Sequence, residues 1–201
     1  MTNDWQKANE WEKNWWSSCV NTYGEEEKQL IYAAKMGLKW LHNGYSPYNI
    51  DMEGKSVMDV GCGPASMLLK CINLKRGFAV DPCNYPEWVA ARYKAAGIEY
   101  MKAKAEDIVM TLENKPIFDE VWMYNVLQHT EDPEKIVGNL LASGKLIRVF
   151  EWVEIGLSDG HIHNLTEEKL NQWFKGEGKV EQLTDRHCFG LAYYGVFWRG
   201  I

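Results

Sequence analysis

The sequence predicts an α/β protein: one mainly parallel sheet covered by helices on both faces. Three observations point there. Strand-length apolar runs alternate with helix-like stretches from residue 56 to residue 151, the pattern of parallel strands joined by helical crossovers. Val57-Met58-Asp59-Val60 runs into a tight Gly61-Cys62-Gly63 turn followed by an apolar stretch from Met67 to Ile72, which is the front end of a nucleotide-binding βαβ unit. A second apolar run, Gly77 to Val80, ends in Asp81, where a carboxylate can accept the hydroxyls of a ribose.

The elements follow in order. Residues 4–19 are polar with aromatic punctuation, Trp5, Trp11, Trp15 and Trp16, and predict a helix. After a break at Asn21 to Gly24, residues 25–42 predict a second helix. Its acidic start, Glu25 to Glu27, suits the positive end of the helix dipole, and its apolar face is read from Leu30, Ala34, Leu38 and Leu41. Residues 43–54 predict a loop. Strand 56–60, helix 65–73, strand 77–81, helix 85–96, strand 98–102, a short helix 106–113, strand 119–125, helix 132–141 and strand 145–151 come next. Thr166 is placed to cap a helix through Phe174, and the alternating apolar residues of 179–183 and 191–198 predict an antiparallel hairpin. The whole chain, 1–201, reads as one domain, with 1–50 as a helical lid and 51–201 as the ligand-binding core.

The two glycines let backbone approach a ligand where a Cβ would collide, and N–H groups then face that ligand. Ser66 stands where a dinucleotide fingerprint needs its third glycine, and Asp59 precedes the turn. A carboxylate there repels a pyrophosphate and suits a cation. S-adenosylmethionine carries a sulfonium and an ammonium and no phosphate, so the charges favour it.

Val57 to Pro64 resembles motif I of the class I S-adenosylmethionine-dependent methyltransferases. Gly77 to Asp81 resembles their strand-2 acid, and Ala105-Glu106-Asp107 resembles their adenine loop. Phe118 to Val121 followed by Asn125-Val126-Leu127-Gln128-His129 resembles the strand-4 motif of the small-molecule branch, the ubiquinone/menaquinone-biosynthesis-like group. The likeness spans residues 52–155, in order. It implies a Rossmann-like fold with a seven-stranded sheet and an N-terminal helical lid. It also implies a donor site made of Asp59, Gly61, Cys62, Gly63, Asp81, Pro82, Ala105, Glu106 and Asn125, with Tyr23 reaching the donor carboxylate. Ala65 replaces a usual glycine, Lys104 replaces a usual Asp, and the turn before the fifth strand is reduced to Ser143-Gly144.

Methyl transfer from a sulfonium needs alignment and, for some acceptors, removal of a proton. His129, just beyond the fourth strand, is the leading base; its competing role is to shape the loop. His161 and His163 fall in the loop after the fifth strand, which the resemblance brings to the acceptor side, His161 as a second base and His163 as an acceptor contact. With Asp159 they lack a further ligand of proper spacing, so no metal is expected. Trp15 and Trp16 are candidates for stacking on an acceptor ring or sugar face, against the plainer role of packing the lid. The expected activity is methylation of a small polar acceptor, at oxygen, with a sugar or similar metabolite as the guess. A donor-binding protein without catalysis is the first alternative, and a nicotinamide-dependent reductase the second.

Bulk properties exclude several other classes. The 201 residues carry a formal charge of −6 and have a pI near 5.4. An acidic chain without a basic stripe is a poor binder of nucleic acid or of an anionic membrane. No apolar run reaches the length of a spanning helix, and the start lacks a signal peptide's pattern. Five cysteines, with no Cys-x-x-Cys, indicate neither a disulfide framework nor a zinc knuckle. The expected setting is cytoplasmic and reducing.

Overall fold

The computed structural model describes residues 3–17, 22–41, 49–109, 111–112 and 115–199. A seven-stranded sheet forms its centre. The strands are β1 (Ser56–Val60), β2 (Arg76–Asp81), β3 (Ile98–Lys102), β4 (Phe118–Tyr124), β5 (Gly144–Trp152), β6 (Lys179–Thr184) and β7 (Phe189–Trp198). Their order across the sheet is β6-β7-β5-β4-β1-β2-β3. Neighbours from β3 through β5 pair parallel, and β7 runs antiparallel to both β5 and β6. The predicted sheet and its closing hairpin are present.

The strand order reverses direction between β1 and β4, which opens a crevice beyond their carboxyl ends. Register sets what meets there. Val60 pairs with Val80 on one side and Met123 on the other, so Gly61, Asp81 and Tyr124 emerge at one level.

Helices cover both faces: α1 (Asn3–Ser17), α2 (Thr22–Lys35), α3 (Glu87–Ala95), α4 (Pro133–Ser143) and α5 (Glu167–Phe174). Ile136, Val137 and Leu140 of α4 and Leu170 and Phe174 of α5 pack with Phe118, Val121 and Val149 on one face. Tyr32 of α2, Met36 just after it, and Val89 and Tyr93 of α3 pack with Val57, Ala79 and Trp122 on the other. Asp132 accepts from Lys135 N at the start of α4, and Thr166 accepts from Lys169 N as expected for the cap of α5.

Three expected elements differ. The helix expected at 65–73 is a 3₁₀ turn, Met67–Lys70, followed by a two-residue strand, Cys71–Ile72, which pairs with Ile50–Asp51. Only residues 61–75 connect β1 to β2, and the glycine loop uses the first six. Returning along five strand residues covers roughly 17 Å, which takes about eleven residues as α-helix. A tighter and partly extended path is what nine residues can manage. The helix expected at 106–113 is likewise one 3₁₀ turn, Ala105–Asp107. The helix expected over 25–42 ends at Lys35, ahead of Gly37 at φ +74°. Its inward face is Glu25, Gln29, Tyr32, Ala33 and Met36, while Ala34 and Leu41 are exposed. The helix keeps the expected period but turns a different face inward, because two of the inward residues are polar.

Candidate functional site

The glycine turn forms the floor of the crevice. Gly61 has φ +75° and Gly63 φ +57°, a left-handed backbone that other residues adopt at a cost. Gly61 and Cys62 donate N–H bonds to Val80 O. Gly63 N donates to Asp81 Oδ2 at 2.9 Å and Cys83 N to Asp81 Oδ1 at 2.8 Å. Burial pushes the Asp81 carboxyl up from the ordinary range, against the pull of those bonds. Each of its oxygens keeps a lone pair for a ligand hydroxyl.

Asp59 is placed differently from its expected role. It is fully buried beneath the turn, where Oδ2 accepts from Ser66 Oγ and, at 2.7 Å, from Tyr124 OH. Oδ1 has no partner among the described residues, and burial pushes the carboxyl up to about 7. Asp59 therefore braces the loop from below and does not line the cleft. Other carboxylates line the cleft and can face a cationic ligand.

The cleft spans about 910 Å³ when the open space at its mouth is included. Gly61, Cys62, Gly63, Asp81 and Pro82 line one side. Ala105, Glu106, Asn125 and His129 line the other, all of them residues expected from the sequence. Glu106 Oε1 also accepts from Glu131 N and Asp132 N, which ties the loop after β3 to the start of α4. Lys104, in the unusual position, pairs with Glu131 at 2.9 Å and covers the Trp5 ring at 3.6 Å.

Asn125 sits at the end of β4 with φ +59°, a strained conformation for a non-glycine residue. The turn it starts is held by Glu151 at the end of β5, whose oxygens accept from Val126 N and Leu127 N at 3.1 to 3.2 Å. Burial pushes Glu151 up to about 8.

His129 reaches the cleft with both ring nitrogens engaged. Nδ1 lies against Gly160 O at 2.5 Å and Nε2 against Gln128 Nε2 at 3.2 Å. A carbonyl only accepts, so Nδ1 carries the proton and Nε2 takes a bond from the amide. Burial lowers the ring to about 4, so it is neutral near pH 7 and a weak base. His161 is half-buried; its ring is 5.0 Å from that of His129 and 6.5 Å from that of Trp11. His163 Nε2 donates to Thr130 O at 2.8 Å. Neither loop histidine lines the cleft, so both act there only through neighbours. Trp16 lines the cleft over Gly63, while Trp15 is partly exposed and stacks on Trp11 at 5.3 Å. The Tyr23 side chain falls outside the described residues.

The cleft also has lining residues beyond those expected from the sequence, Asn9 and Glu12 among them. On α1, these and the aromatic Trp5 and Trp16 face the cleft, at spacings of four, three and four. That is one helix face, and its polar members were the signal available in the sequence. On α2, Glu25, Gln29 and Tyr32 reach in. Gln29 donates to Ala65 O, Lys28 pairs with Glu25, and the Tyr32 hydroxyl is buried. Among the described lining residues there are four carboxylates, Glu12, Glu25, Asp81 and Glu106, and no Lys or Arg. Such a wall repels a pyrophosphate and attracts a cation. No helix among the described residues is long and apolar enough to cross a membrane.

Comparison with known proteins agrees with this geometry. Residues 58–142 match the family model described as a methyltransferase domain. No curated protein matches the sequence. Among solved structures, a chain of the complex between the Haloferax volcanii Trm112 methyltransferase activator and its methyltransferase is similar at TM-score 0.66 and 13% identity, over 94% of this chain and 97% of that one. A Thermotoga maritima protein described as a possible histamine N-methyltransferase is similar at TM-score 0.56 and 15% identity, over 90% and 96%. Magnesium protoporphyrin IX methyltransferase of Synechocystis with bound S-adenosylmethionine is similar at TM-score 0.55 and 12% identity, over 87% and 80%. The sheet order and the glycine turn give this chain the fold of these methyltransferase structures, and residues 58–142 match the methyltransferase domain.

Proposed function

We propose that the cleft binds S-adenosylmethionine along the carboxyl edge of the sheet and that the enzyme methylates a small acceptor lacking negative charge. The carrying observation is the wall of four carboxylates with no Lys or Arg among its described residues. It suits a ligand with hydroxyls and a cationic centre and opposes a dinucleotide, which argues against the reductase alternative. In this reading Asp81 accepts the ribose hydroxyls. Pro82 and the Ala105-Glu106 turn flank the adenine, and the Gly61–Gly63 backbone faces the methionine end. The bound donor supplies a methyl group already activated by its sulfonium.

The residues then have to orient an acceptor and keep water out. Trp5 and Trp16 close the cleft from above, which supports reading 1–50 as a lid on one methyltransferase domain. Asn125, Val126 and His129 form the wall nearest the acceptor path, braced by Glu151. A hydroxyl needs a base in the transition state, whereas a neutral amine brings its own lone pair. With His129 held near 4 and both its nitrogens occupied, nitrogen is favoured over the oxygen expected from the sequence. Trp15 lies outside the cleft and Trp16 is over the glycine turn, so the sugar acceptor loses the aromatic argument that suggested it.

The test is incubation with methyl-labelled S-adenosylmethionine and parallel panels of small amines and small alcohols. Label should appear in an amine. Transfer confined to alcohols would overturn the preference for nitrogen. Tight donor binding with no transfer to any member would favour the donor-binding protein without catalysis.

A further inference from the structure

The inward face of α1 runs the length of the cleft. Trp5 lies under Lys104 beside the loop after β3. Asn9 donates to Cys83 Sγ at 3.3 Å, next to Asp81. Glu12 comes within 3.4 Å of His129 Nδ1. Trp16 covers Gly63. From Trp5 to Trp16 the helix rises roughly 16 Å, so on the donor reading above these four residues follow the ligand from adenine to methionine. On the same reading Glu12 falls between Asn9 at the ribose and Trp16 at the methionine end, where the sulfur would lie.

Glu12 differs from the other three carboxylates of the wall. Asp81 and Glu106 each accept backbone N–H bonds, and Glu25 has Lys28. Glu12 has the neutral His129 ring on the core side and the Trp16 side chain on its own helix. The charged groups acting on it are Asp81 from β2 and Glu25 and Lys28 from α2. Burial and the two carboxylates outweigh the lysine and push Glu12 up to about 7. It is the wall's one carboxylate without a cation or a backbone donor among the described partners. α1 itself buries only a narrow stripe, Trp5, Ala8, Asn9, Glu12 and Trp16, and the rest of the described helix is exposed. Such an element opens at low cost.

We propose that Glu12 reads the charge on the donor sulfur, holding α1 closed over S-adenosylmethionine and releasing it over S-adenosylhomocysteine. Methyl transfer breaks the S–CH₃ bond, leaves its electron pair on sulfur and forms the bond from the acceptor lone pair to carbon. The acceptor's proton goes to solvent. The sulfonium becomes a neutral thioether, so Glu12 loses its counter-charge at the moment the product has to leave. The lid would then favour substrate over product through one carboxylate, with no change in shape of the ligand's other parts.

The inference rests on the donor reading, and calorimetric titration separates the two. Wild type and Glu12→Gln are titrated with S-adenosylmethionine and with S-adenosylhomocysteine at pH 6 and pH 8. In wild type, S-adenosylmethionine should bind more tightly at pH 8, because a cation favours the ionised carboxylate, and it should displace a proton visible as buffer-dependent heat. Glu12→Gln should lose that pH dependence and should lower the preference for S-adenosylmethionine over S-adenosylhomocysteine by about tenfold. An unchanged preference, or equal loss of both ligands, overturns the role of Glu12 while leaving the donor site intact. Absence of binding by either ligand to wild type overturns the donor site itself. Should the variant fail to fold, proton release by wild type on binding S-adenosylmethionine but not S-adenosylhomocysteine decides alone.

Discussion

Replacing Gly61 by alanine separates two costs that the glycine turn avoids. A Cβ at 61 would stand 2.3 Å from Val126 Cγ2 and 2.7 Å from Cγ1. It would also be held at φ +75°, which costs about 1–2 kcal/mol for an L-residue. Overpacking against Val126 adds about 1–3 kcal/mol, so Gly61→Ala should lose about 2–5 kcal/mol of stability. Gly63 shares the backbone conformation, at φ +57°, but a Cβ there meets only the Trp16 ring at an ordinary 3.6 Å. Gly63→Ala should therefore lose only the conformational part, about 1–2 kcal/mol. Urea denaturation of both variants measures the difference. The double variant Gly61→Ala/Val126→Ala should be less destabilised than the sum of its parts by at least about 1 kcal/mol, because the second change removes the methyls that collide. Equal losses at 61 and 63, or strict additivity of the pair, would refute the claim that Val126 shapes the turn.

Asp81→Ala should weaken donor binding by about 1.5–3 kcal/mol, a charge-assisted pair lost from a buried site, and unchanged affinity by calorimetry would remove Asp81 from the ribose. The stability of the ligand-free protein should fall as pH rises from 6.5 to 8. Glu12 and Asp59 at about 7 and Glu151 at about 8 lie above their ordinary values, so the folded state holds more protons than the unfolded one across that window and loses stability with rising pH. His129, lowered from 6.5 to about 4, acts in the opposite sense, but its contribution fades above 6.5 and is outweighed by the three carboxyls; a melting temperature that climbs from pH 6.5 to 8 would contradict the assignment. His129→Ala should lower turnover by less than about tenfold and leave the rate–pH profile without an inflection near 6.5, whereas a loss of 10²–10⁴ with such an inflection would restore it as the base.

The sheet and half of the cleft were legible because local chemistry and tertiary role coincide there. An apolar run ending in Asp81, a Gly61-Cys62-Gly63 turn and an Asn125 beyond a strand each mark both a backbone shape and a place in the cleft wall. The misread parts are those where only three-dimensional placement decides. Asp59 is in a ligand motif by position, yet the strand's alternation turns it under the loop, toward Ser66 and Tyr124. Leu30, Ala34, Leu38 and Leu41 have helical spacing, but the helix stops at Lys35 and its inward face carries Glu25 and Gln29 to the ligand side. Glu12 was hidden for the same reason: a polar residue on an aromatic-rich helix reads as solvated until the helix is seen to lie over a cleft. The crossover after β1 has a helix-like composition but too few residues to return along the strand as an α-helix.

The account stands most directly on donor binding by the wild-type protein. Calorimetric titration with S-adenosylmethionine should give one site with a dissociation constant in the micromolar range, about −8 kcal/mol, and titration with NADH should give no heat of binding. Binding of NADH with none of S-adenosylmethionine would contradict the assignment of the cleft.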